Sequence, residues 1–331
     1  MSPFWPFPAP WEGGGGSTDS LIHAAALCLA LAVDRCFGEP PARWHPVVWM
    51  GRYLCATGRR IAPPTGGRAS LSARAFATGM LAWCLGATVV VLLAALVGLV
   101  CASLPAWAEA AALALALKPL LAWRMLRGEV LAVESALASS LDEGRARLSR
   151  LVSRDVRPLD EGQVRESAIE SLAENLNDSV IAPLFWFLLL GLPGAALYRF
   201  ANTADAMWGY RGTRDGRVWE WAGKWAARAD DLLSWLPARL TALLLWAPGL
   251  AGVRREAART PSPNSGWPMA AMALRLGVRL AKPAVYVLNA GGRVPTPADT
   301  RQAADIGSRA VGRMALLASA VLLVPAAWGH A

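Results

Sequence analysis

The sequence has little charge, few histidines and none of the motifs by which soluble enzymes hold nucleotides. Charged residues make up 17% of the 331 residues and hydrophobic residues 55%, whereas soluble domains carry roughly 25% charged residues. The five cysteines form no CxxC pair, and none of the three histidines stands at ligand spacing from a cysteine, which argues against a zinc site. There is also no GxxxxGK[ST] loop, no GxGxxG, no GxSxG and no HExxH. A nucleotide, if one is used, must be held in another way.

Long apolar runs are present instead. The run from Ala75 to Leu104 contains no charged residue and exceeds the roughly 20 residues that a membrane-spanning helix needs. The sequence therefore predicts an all-α, polytopic helical membrane protein, and it leaves room for re-entrant segments and amphipathic cytoplasmic helices. Residues 1–18, rich in proline and glycine, are expected to be a flexible lead, and 19–331 a single membrane-embedded catalytic domain. Apolar segments are expected at about 21–36, 75–104, 106–126, 179–197, 231–253 and 311–328.

The net charge of +9 comes from arginines spread over the loops, without the continuous basic stripe that nucleic-acid binding needs. Loops rich in arginine stay on the cytoplasmic side of a membrane, which applies here to 37–75, 127–178 and 253–309. Within 127–178 we expect amphipathic helices, one of which starts at Asp160, with Gln163 three residues on. The basic segment 199–229 favours the same side, although simple alternation would place it outside. One solution is that 179–197 and 231–253 enter the membrane and return, as broken helices do where protein buries their free backbone groups.

Three carboxylates recur at every fourth position, at Glu170, Glu174 and Asp178. At 100° per residue they lie within about 80° of one helix face. Such a stripe repels itself unless a cation relieves it, and Mg²⁺ is the cation that protein carboxylates and phosphate oxygens hold together. The alternative is a solvated polar face. The position of Asp178, directly before an apolar segment, favours the functional interpretation.

An Asn-x-x-Asp spacing occurs twice, at Asn175 and Asp178 and again at Asn202 and Asp205. The two pairs flank one apolar segment, so a hairpin in that segment could bring them to one site. The alternative is that asparagine and aspartate cap the neighbouring helices.

Further charged residues stand at the edges of the apolar segments. Arg199 and Arg211 flank the second Asn-x-x-Asp pair and offer forked donors for phosphate. Asp230 and Asp231 are adjacent at the start of an apolar segment, and Arg239 lies inside it. An arginine within an apolar run is costly and marks a candidate functional site; its alternative role is an ion pair with one of the two aspartates.

Two other places carry weaker signals. Asp34 lies in the end of the first helix and not in the loop that follows it. Asn264 and Ser265 belong to a polar turn before a moderately apolar helix, whose first amides could receive an anion.

These motifs together resemble the CobD/CbiB family of cobalamin-biosynthesis membrane proteins, the adenosylcobinamide-phosphate synthases. The resemblance covers nearly the whole chain from about Leu21. It departs from the family pattern at Ser234, where an asparagine is expected, and in the first 18 residues. The matching motifs are Asp34 with Gly38-Glu39-Pro40, His45-Pro46-Val47, Arg154-Asp155, Glu170-Ser171-Leu172-Ala173-Glu174-Asn175, Asp178 with Ala182-Pro183-Leu184-Phe185, Asn202-Thr203-x-Asp205-x-Met207-x-Gly209-Tyr210, Asp230-Asp231, Pro237-Ala238-Arg239 and Ser262-Pro263-Asn264-Ser265-Gly266.

The resemblance implies an ATP-dependent, Mg²⁺-dependent amide ligation of adenosylcobyric acid with aminopropanol phosphate or ethanolamine phosphate. The implied partners are these substrates, membrane lipid and other late cobalamin-assembly membrane enzymes, with no nucleic acid. The expected place is the inner membrane, with the active site facing the cytoplasm.

The expected metal ligands are Glu170, Glu174, Asp178 and Asp205. The expected substrate-binding residues are Arg199, Asn202, Arg211, Arg239, Asn264 and Ser265. Asn175 is a catalytic candidate, and the base that takes the proton of the amine is Asp230, Asp231 or His45.

Two other functions compete with this one. A Mg²⁺-dependent membrane prenyltransferase would use two Asn-x-x-Asp pairs to bind diphosphate, but that family has denser aspartate motifs and longer helices. A non-enzymatic inner-membrane regulatory protein of the AmpE type would not need the carboxylate motifs.

Overall fold

The computed structural model describes residues 16–65, 72–245 and 249–328. Most of the predicted lead over 1–18 therefore lies outside the described residues, and its last residues, from Gly16, begin the first helix. The helices are α1 Gly16–Phe37, α2 Pro46–Ile61, α3 Ser72–Ala102, α4 Ala106–Leu117, α5 Trp123–Ser139, α6 Leu141–Leu148, α7 Glu161–Leu176, α8 Ala182–Trp208, α9 Lys224–Leu233, α10 Trp235–Leu244, α11 Leu250–Ala257, α12 Gly266–Leu276 and α13 Pro297–Trp328. Two short antiparallel hairpins are the only strands in the described ranges: β1 Thr213–Arg214 with β2 Arg217–Val218, and β3 Leu280–Lys282 with β4 Tyr286–Leu288.

The protein is an all-α, polytopic membrane protein, as the sequence predicts. On α3, large apolar side chains such as Leu81, Leu92 and Leu96 are more than half exposed, which suits contact with lipid. Among the residues that the structure describes, five helical stretches are long and apolar enough to cross a membrane: Thr18–Phe37, Ser72–Ala102, Ala106–Ser139, Glu161–Trp208 and Pro297–Leu323.

Two of the predicted apolar segments are not single continuous helices. The segment 106–126 is interrupted, because α4 ends at Leu117 and a 3-10 turn with Pro119 follows before α5 begins; proline removes a backbone donor and breaks regular helix. The segment 231–253 is divided among three short helices and is not among the five candidate spans. Pro237 in the first turn of α10 and Gly249, with a φ of 76° before α11, account for these breaks.

Helix α8 reverses its direction at Gly191, whose φ of 63° and ψ of −157° lie in a region open almost only to glycine. A Cβ on Gly194 would stand 2.5 Å from the carbonyl oxygen of Trp186, although residues eight apart in a straight helix are separated by about 12 Å. The chain therefore folds back on itself between 182–190 and 192–208. A re-entrant hairpin over 179–197 requires such a reversal; its depth in a membrane stays a prediction.

The chain divides into two compact units, each built from segments distant in sequence. The first contains the described residues up to Leu121, Pro183–Leu233 and those from Leu317. In its core, the buried indole of Trp208 donates a 3.0 Å hydrogen bond to the carbonyl oxygen of Leu54. The second unit contains Ala122–Ala182 and Ser234–Leu316, and its core includes Ile169, Leu172, Leu176 and Met272.

Candidate functional site

The acidic positions of the second unit are carried by α7, which begins as the sequence predicts. Asp160 accepts a 2.8 Å hydrogen bond from the backbone N–H of Gln163, whose side chain accepts a 2.9 Å bond from the N–H of Asp160. This reciprocal capping box satisfies two donors at the helix start. From Val164 to Ala173 every residue of α7 is buried, so the helix holds its polar side chains in fixed surroundings.

Glu170 is paired with a cation from a preceding loop. Its Oε2 accepts a 2.9 Å hydrogen bond from Arg154, and only 2% of its side chain is exposed. Burial, together with the nearby carboxylates of Glu170 and Glu174, raises the pKa of Tyr286, which therefore stays a neutral phenol. Arg154 and Lys282 also act electrostatically on Glu174. The chain itself thus supplies part of the positive charge that the carboxylate stripe was predicted to need.

Asp178 departs from the four-residue periodicity of the predicted stripe, because α7 ends at Leu176 and a π-helical turn, Asn177–Ile181, follows. Within it, Asn177 donates a 2.8 Å hydrogen bond to Asp178 Oδ1 and accepts a 3.0 Å bond from Thr241 of α10. Single π-helical turns are frequent at functional sites. Asn177, not singled out from the sequence, fixes both Asp178 and α10.

Asn175, the catalytic candidate next to this turn, is bonded within its own helix. Its Nδ2 donates to the carbonyl oxygen of Ser171 at 2.9 Å and to the Ser171 hydroxyl at 3.2 Å.

A metal site of three preassembled ligands is not found in the described part of the chain. Mg²⁺ usually takes one or two carboxylates and completes its shell with water and substrate phosphate. Glu170 is committed to Arg154, whereas Glu174 and Asp178 are partly exposed on the adjoining turns. Glu174 and Asp178 therefore fit such an open Mg²⁺ site better than the full predicted set.

Arg239 joins α10 to the polar turn that the sequence singles out. It donates to Asn264 Oδ1 at 2.7 Å, to the Pro263 carbonyl at 3.1 Å and to the Trp235 carbonyl at 2.8 Å. Its guanidinium lies 4.5 Å and 4.8 Å from the ring centroids of Trp235 and Trp267. Two hydrogen bonds of Arg239 therefore hold the turn in place, and a third lies within α10.

The backbone amides of this turn are also used locally. The hydroxyl of Ser262 accepts hydrogen bonds from the N–H groups of Asn264 and Ser265, both at 3.2 Å. Pro268, in the first turn of α12, has no N–H to offer. The helix start predicted to receive an anion thus has few amides left for that purpose.

In the first unit, the structure brings together five of the predicted residues. Arg199 donates to Asn202 Oδ1 and Asn202 donates to Asp230 Oδ1, each at 3.4 Å, which links α8 to α9. Burial raises the pKa of Asp231, and Arg211 acts on it in the opposite direction. Arg199, Asn202, Asp230, Asp231 and Arg211 therefore form one connected acid, amide and cation group.

Asp205 belongs to the same unit, and the space for its side chain depends on the glycine that follows α8. Gly209 donates its N–H to the Asp205 carbonyl at 2.7 Å, and a Cβ on Gly209 would stand 1.9 Å from Asp205 Oδ1. Only glycine leaves room for the carboxylate here. Asp205 and the carboxylates of α7 lie in different units, so its role as a fourth metal ligand stays a prediction.

Another group of polar side chains surrounds Lys118, a residue that was not singled out from the sequence. The Nζ of this buried residue lies 3.3 Å from Asp34 Oδ1 and 3.0 Å from Glu39 Oε2, and Nε2 of His45 lies 3.1 Å from the same Glu39 oxygen. Burial raises the pKa of Glu39, but the bonds to His45 and Lys118 outweigh it and leave that pKa below its usual value. A single lysine within the apolar run 106–126 was the available signal.

Comparisons with known proteins agree with the resemblance seen in the motifs. The sequence model of the family described as CobD/Cbib protein matches residues 27–314. A probable cobalamin biosynthesis protein CobD of Pyrococcus abyssi is 41% identical over 283 residues, which cover 85% of this chain and 90% of the relative. A protein of the same description from Thermococcus kodakarensis is 42% identical, covering 86% and 91%. The cobalamin biosynthesis protein CobD of Chromobacterium violaceum is also 42% identical, covering 80% and 84%. No solved structure matches the chain. With four-fifths or more of both chains aligned at this identity, the chain belongs to the CobD/CbiB family.

Proposed function

We propose that this protein acts in cobalamin biosynthesis by joining a propionate carboxyl of adenosylcobyric acid to the amine of aminopropanol phosphate or ethanolamine phosphate. The product is adenosylcobinamide phosphate. The names of the relatives support the role in cobalamin biosynthesis. The proposed amide ligation rests on the placement of Glu174 and Asp178. These two partly exposed carboxylates lie on a buried helix and on the π-helical turn that follows it.

The chemistry requires activation, because a carboxylate is a poor acyl donor. ATP would convert the carboxyl to an acyl phosphate, and the amine would then displace phosphate and form the amide bond. Mg²⁺, when bound at Glu174 and Asp178, supplies neutralisation of the phosphoryl charge. Arg199 and Arg211 offer guanidinium groups for the phosphate and carboxylate groups of the substrates.

The proposed location is the inner membrane, with the reaction on its cytoplasmic side, where ATP is present. The arginine-rich loops 37–75 and 127–178 support this orientation. Other late cobalamin-assembly membrane enzymes are the proposed neighbours, since the corrinoid product must pass to a following step.

The test uses the full-length protein in detergent with adenosylcobyric acid, ATP, Mg²⁺ and aminopropanol phosphate. We expect a product heavier by the amino-alcohol phosphate less one water, together with stoichiometric phosphate release. Glu174→Gln and Asp178→Asn should each lower kcat/KM about 100-fold and shift the Mg²⁺ dependence to higher concentration. Glu143→Gln, an exposed acid of α6, serves as the matched control. Absence of product with the wild-type protein, or release of diphosphate from a prenyl diphosphate instead, would refute the proposal.

A further inference from the structure

The polar group around Lys118 contains an oriented imidazole. His45 precedes α2, and its Nε2 lies 3.1 Å from Glu39 Oε2, with 15% and 20% of the two side chains exposed. Lys118 contacts the same Glu39 oxygen at 3.0 Å and Asp34 at 3.3 Å, and these two side chains are 5% and 1% exposed. Asp34 of α1 and Lys118 of the turn after α4 thus form a contact chain to Glu39, which bonds the imidazole from one side.

The positions of the hydrogens follow from this geometry. An ionised carboxylate only accepts, so Nε2 must donate to Glu39, and a neutral imidazole then carries its lone pair on Nδ1. In the part of the chain that the structure describes, Nδ1 of His45 and Oε1 of Glu39 are both buried and have no hydrogen-bond partner. Two buried acceptors without donors are costly, which indicates that a ligand with N–H donors completes them.

The charge of the group favours a cationic donor. The contacts of Glu39 with Lys118 and His45 both use its Oε2, so the second oxygen of this carboxylate offers a negatively charged acceptor beside His45 Nδ1. A primary ammonium combines a positive charge with three N–H donors and fits both free acceptors.

We propose that Glu39 Oε1 and His45 Nδ1 bind the primary amine consumed in the ligation, and that His45 removes its proton; this inference rests on the proposed function. The ammonium gives one proton to Nδ1, which leaves a neutral amine with a free electron pair and an imidazolium held by Glu39. That electron pair forms the new C–N bond while the C–O bond to the phosphate breaks, and the second proton that the nitrogen loses leaves with the phosphate. Glu39 also orients the ring, and Lys118 and Asp34 are positioning residues.

The surroundings of the three candidates distinguish His45 from Asp230 and Asp231, the two aspartates that the sequence leaves open as bases. Asp230 accepts a hydrogen bond from Asn202, and Asp231 is under the influence of Arg211. A carboxylate is also a weaker proton acceptor near neutral pH than an imidazole. The assignment of the base therefore goes to His45.

The first experiment compares two nucleophiles on the full-length protein in detergent. His45→Gln keeps an N–H donor for Glu39 but removes the accepting nitrogen, and we expect kcat with aminopropanol phosphate to fall about 100-fold or more. Hydroxylamine is largely unprotonated at neutral pH, so hydroxamate formation should fall less than about fivefold in the same variant. The matched control His23→Gln, on α1, should behave as wild type with both nucleophiles.

The second experiment uses two charges next to the imidazole: Glu39, which bonds it, and Lys118, which contacts the same Glu39 oxygen. Removing negative charge in Glu39→Gln disfavours the imidazolium and should move the acidic limb of kcat against pH to lower pH. Removing positive charge in Lys118→Met should move it to higher pH, and Lys118→Arg, which keeps the charge, should leave it in place and checks folding.

The outcomes are distinct. If the wild-type protein forms no amide, the proposed function itself fails. If the wild-type protein ligates but His45→Gln loses the same factor with both nucleophiles, or if Glu39→Gln and Lys118→Met move the limb in one direction, His45 is not the base.

Discussion

At the scale of single residues, the buried charges of this protein are neutralised by partners from distant parts of the chain. Arg154 reaches Glu170 at 2.9 Å, and Arg279 reaches the fully buried Glu166 at 2.9 Å. A charge that leaves water needs such a partner, and removal of one member leaves the other uncompensated. These pairs therefore hold the carboxylates of α7 in fixed orientations.

We expect Arg154→Met to lower the free energy of unfolding by about 3 kcal/mol, because it strands the Glu170 carboxylate in a buried position. The double variant Arg154→Met with Glu170→Gln should recover part of this loss, since no charge then lacks a partner. Arg157→Gln, which removes an exposed ion pair with Asp155, should unfold like wild type. Thermal unfolding of the three proteins in one detergent measures the difference. Equal stability of Arg154→Met and wild type would contradict the structural role of the pair.

At the scale of helices and loops, the sequence predicted what depends on local signals. The capping residues Asp160 and Gln163 marked the start of α7, and uninterrupted hydropathy marked α3. The sequence did not predict features that depend on residues distant in the chain but close in space. In the π-helical turn, Asn177 is bonded to Thr241 of another helix, and the partners of Lys118 also come from other segments. Likewise, no local sequence pattern indicates that the predicted site residues belong to two separate units.

The reversal of α8 gives a prediction about one backbone position. Gly191 has a φ of 63° and a ψ of −157°, and only glycine adopts this region without strain of about 1–3 kcal/mol. Gly191→Ala should therefore lower the free energy of unfolding by that amount. Gly98→Ala is the matched control: a Cβ there has nothing within 4 Å, and alanine in a helix is neutral or stabilising by up to about 1 kcal/mol. Chemical or thermal unfolding in detergent compares the two, and equal stabilities would mean that α8 does not turn back at Gly191.

At the scale of the whole molecule, charge and helix reversal give one consistent orientation. Positive residues concentrate in loops retained on the cytoplasmic side, and the basic segment 199–229 follows the half of α8 that returns from Gly191. If α8 enters the membrane and turns back at Gly191, the chain returns to the side from which it came. The charge of that segment then no longer conflicts with simple alternation of crossings.

The orientation can be tested by cysteine labelling of sealed cells in a background without the five native cysteines. Arg214→Cys lies in the basic segment and Ser103→Cys in the connection between α3 and α4, which the same orientation places outside. We expect an impermeant maleimide to label residue 103 in intact cells and residue 214 only after permeabilisation. The side chains at both positions are at least partly exposed at the protein surface, so unequal burial does not explain such a contrast. Rapid labelling of residue 214 in intact cells would instead mean that α8 crosses the membrane and that the basic segment 199–229 lies outside the cell.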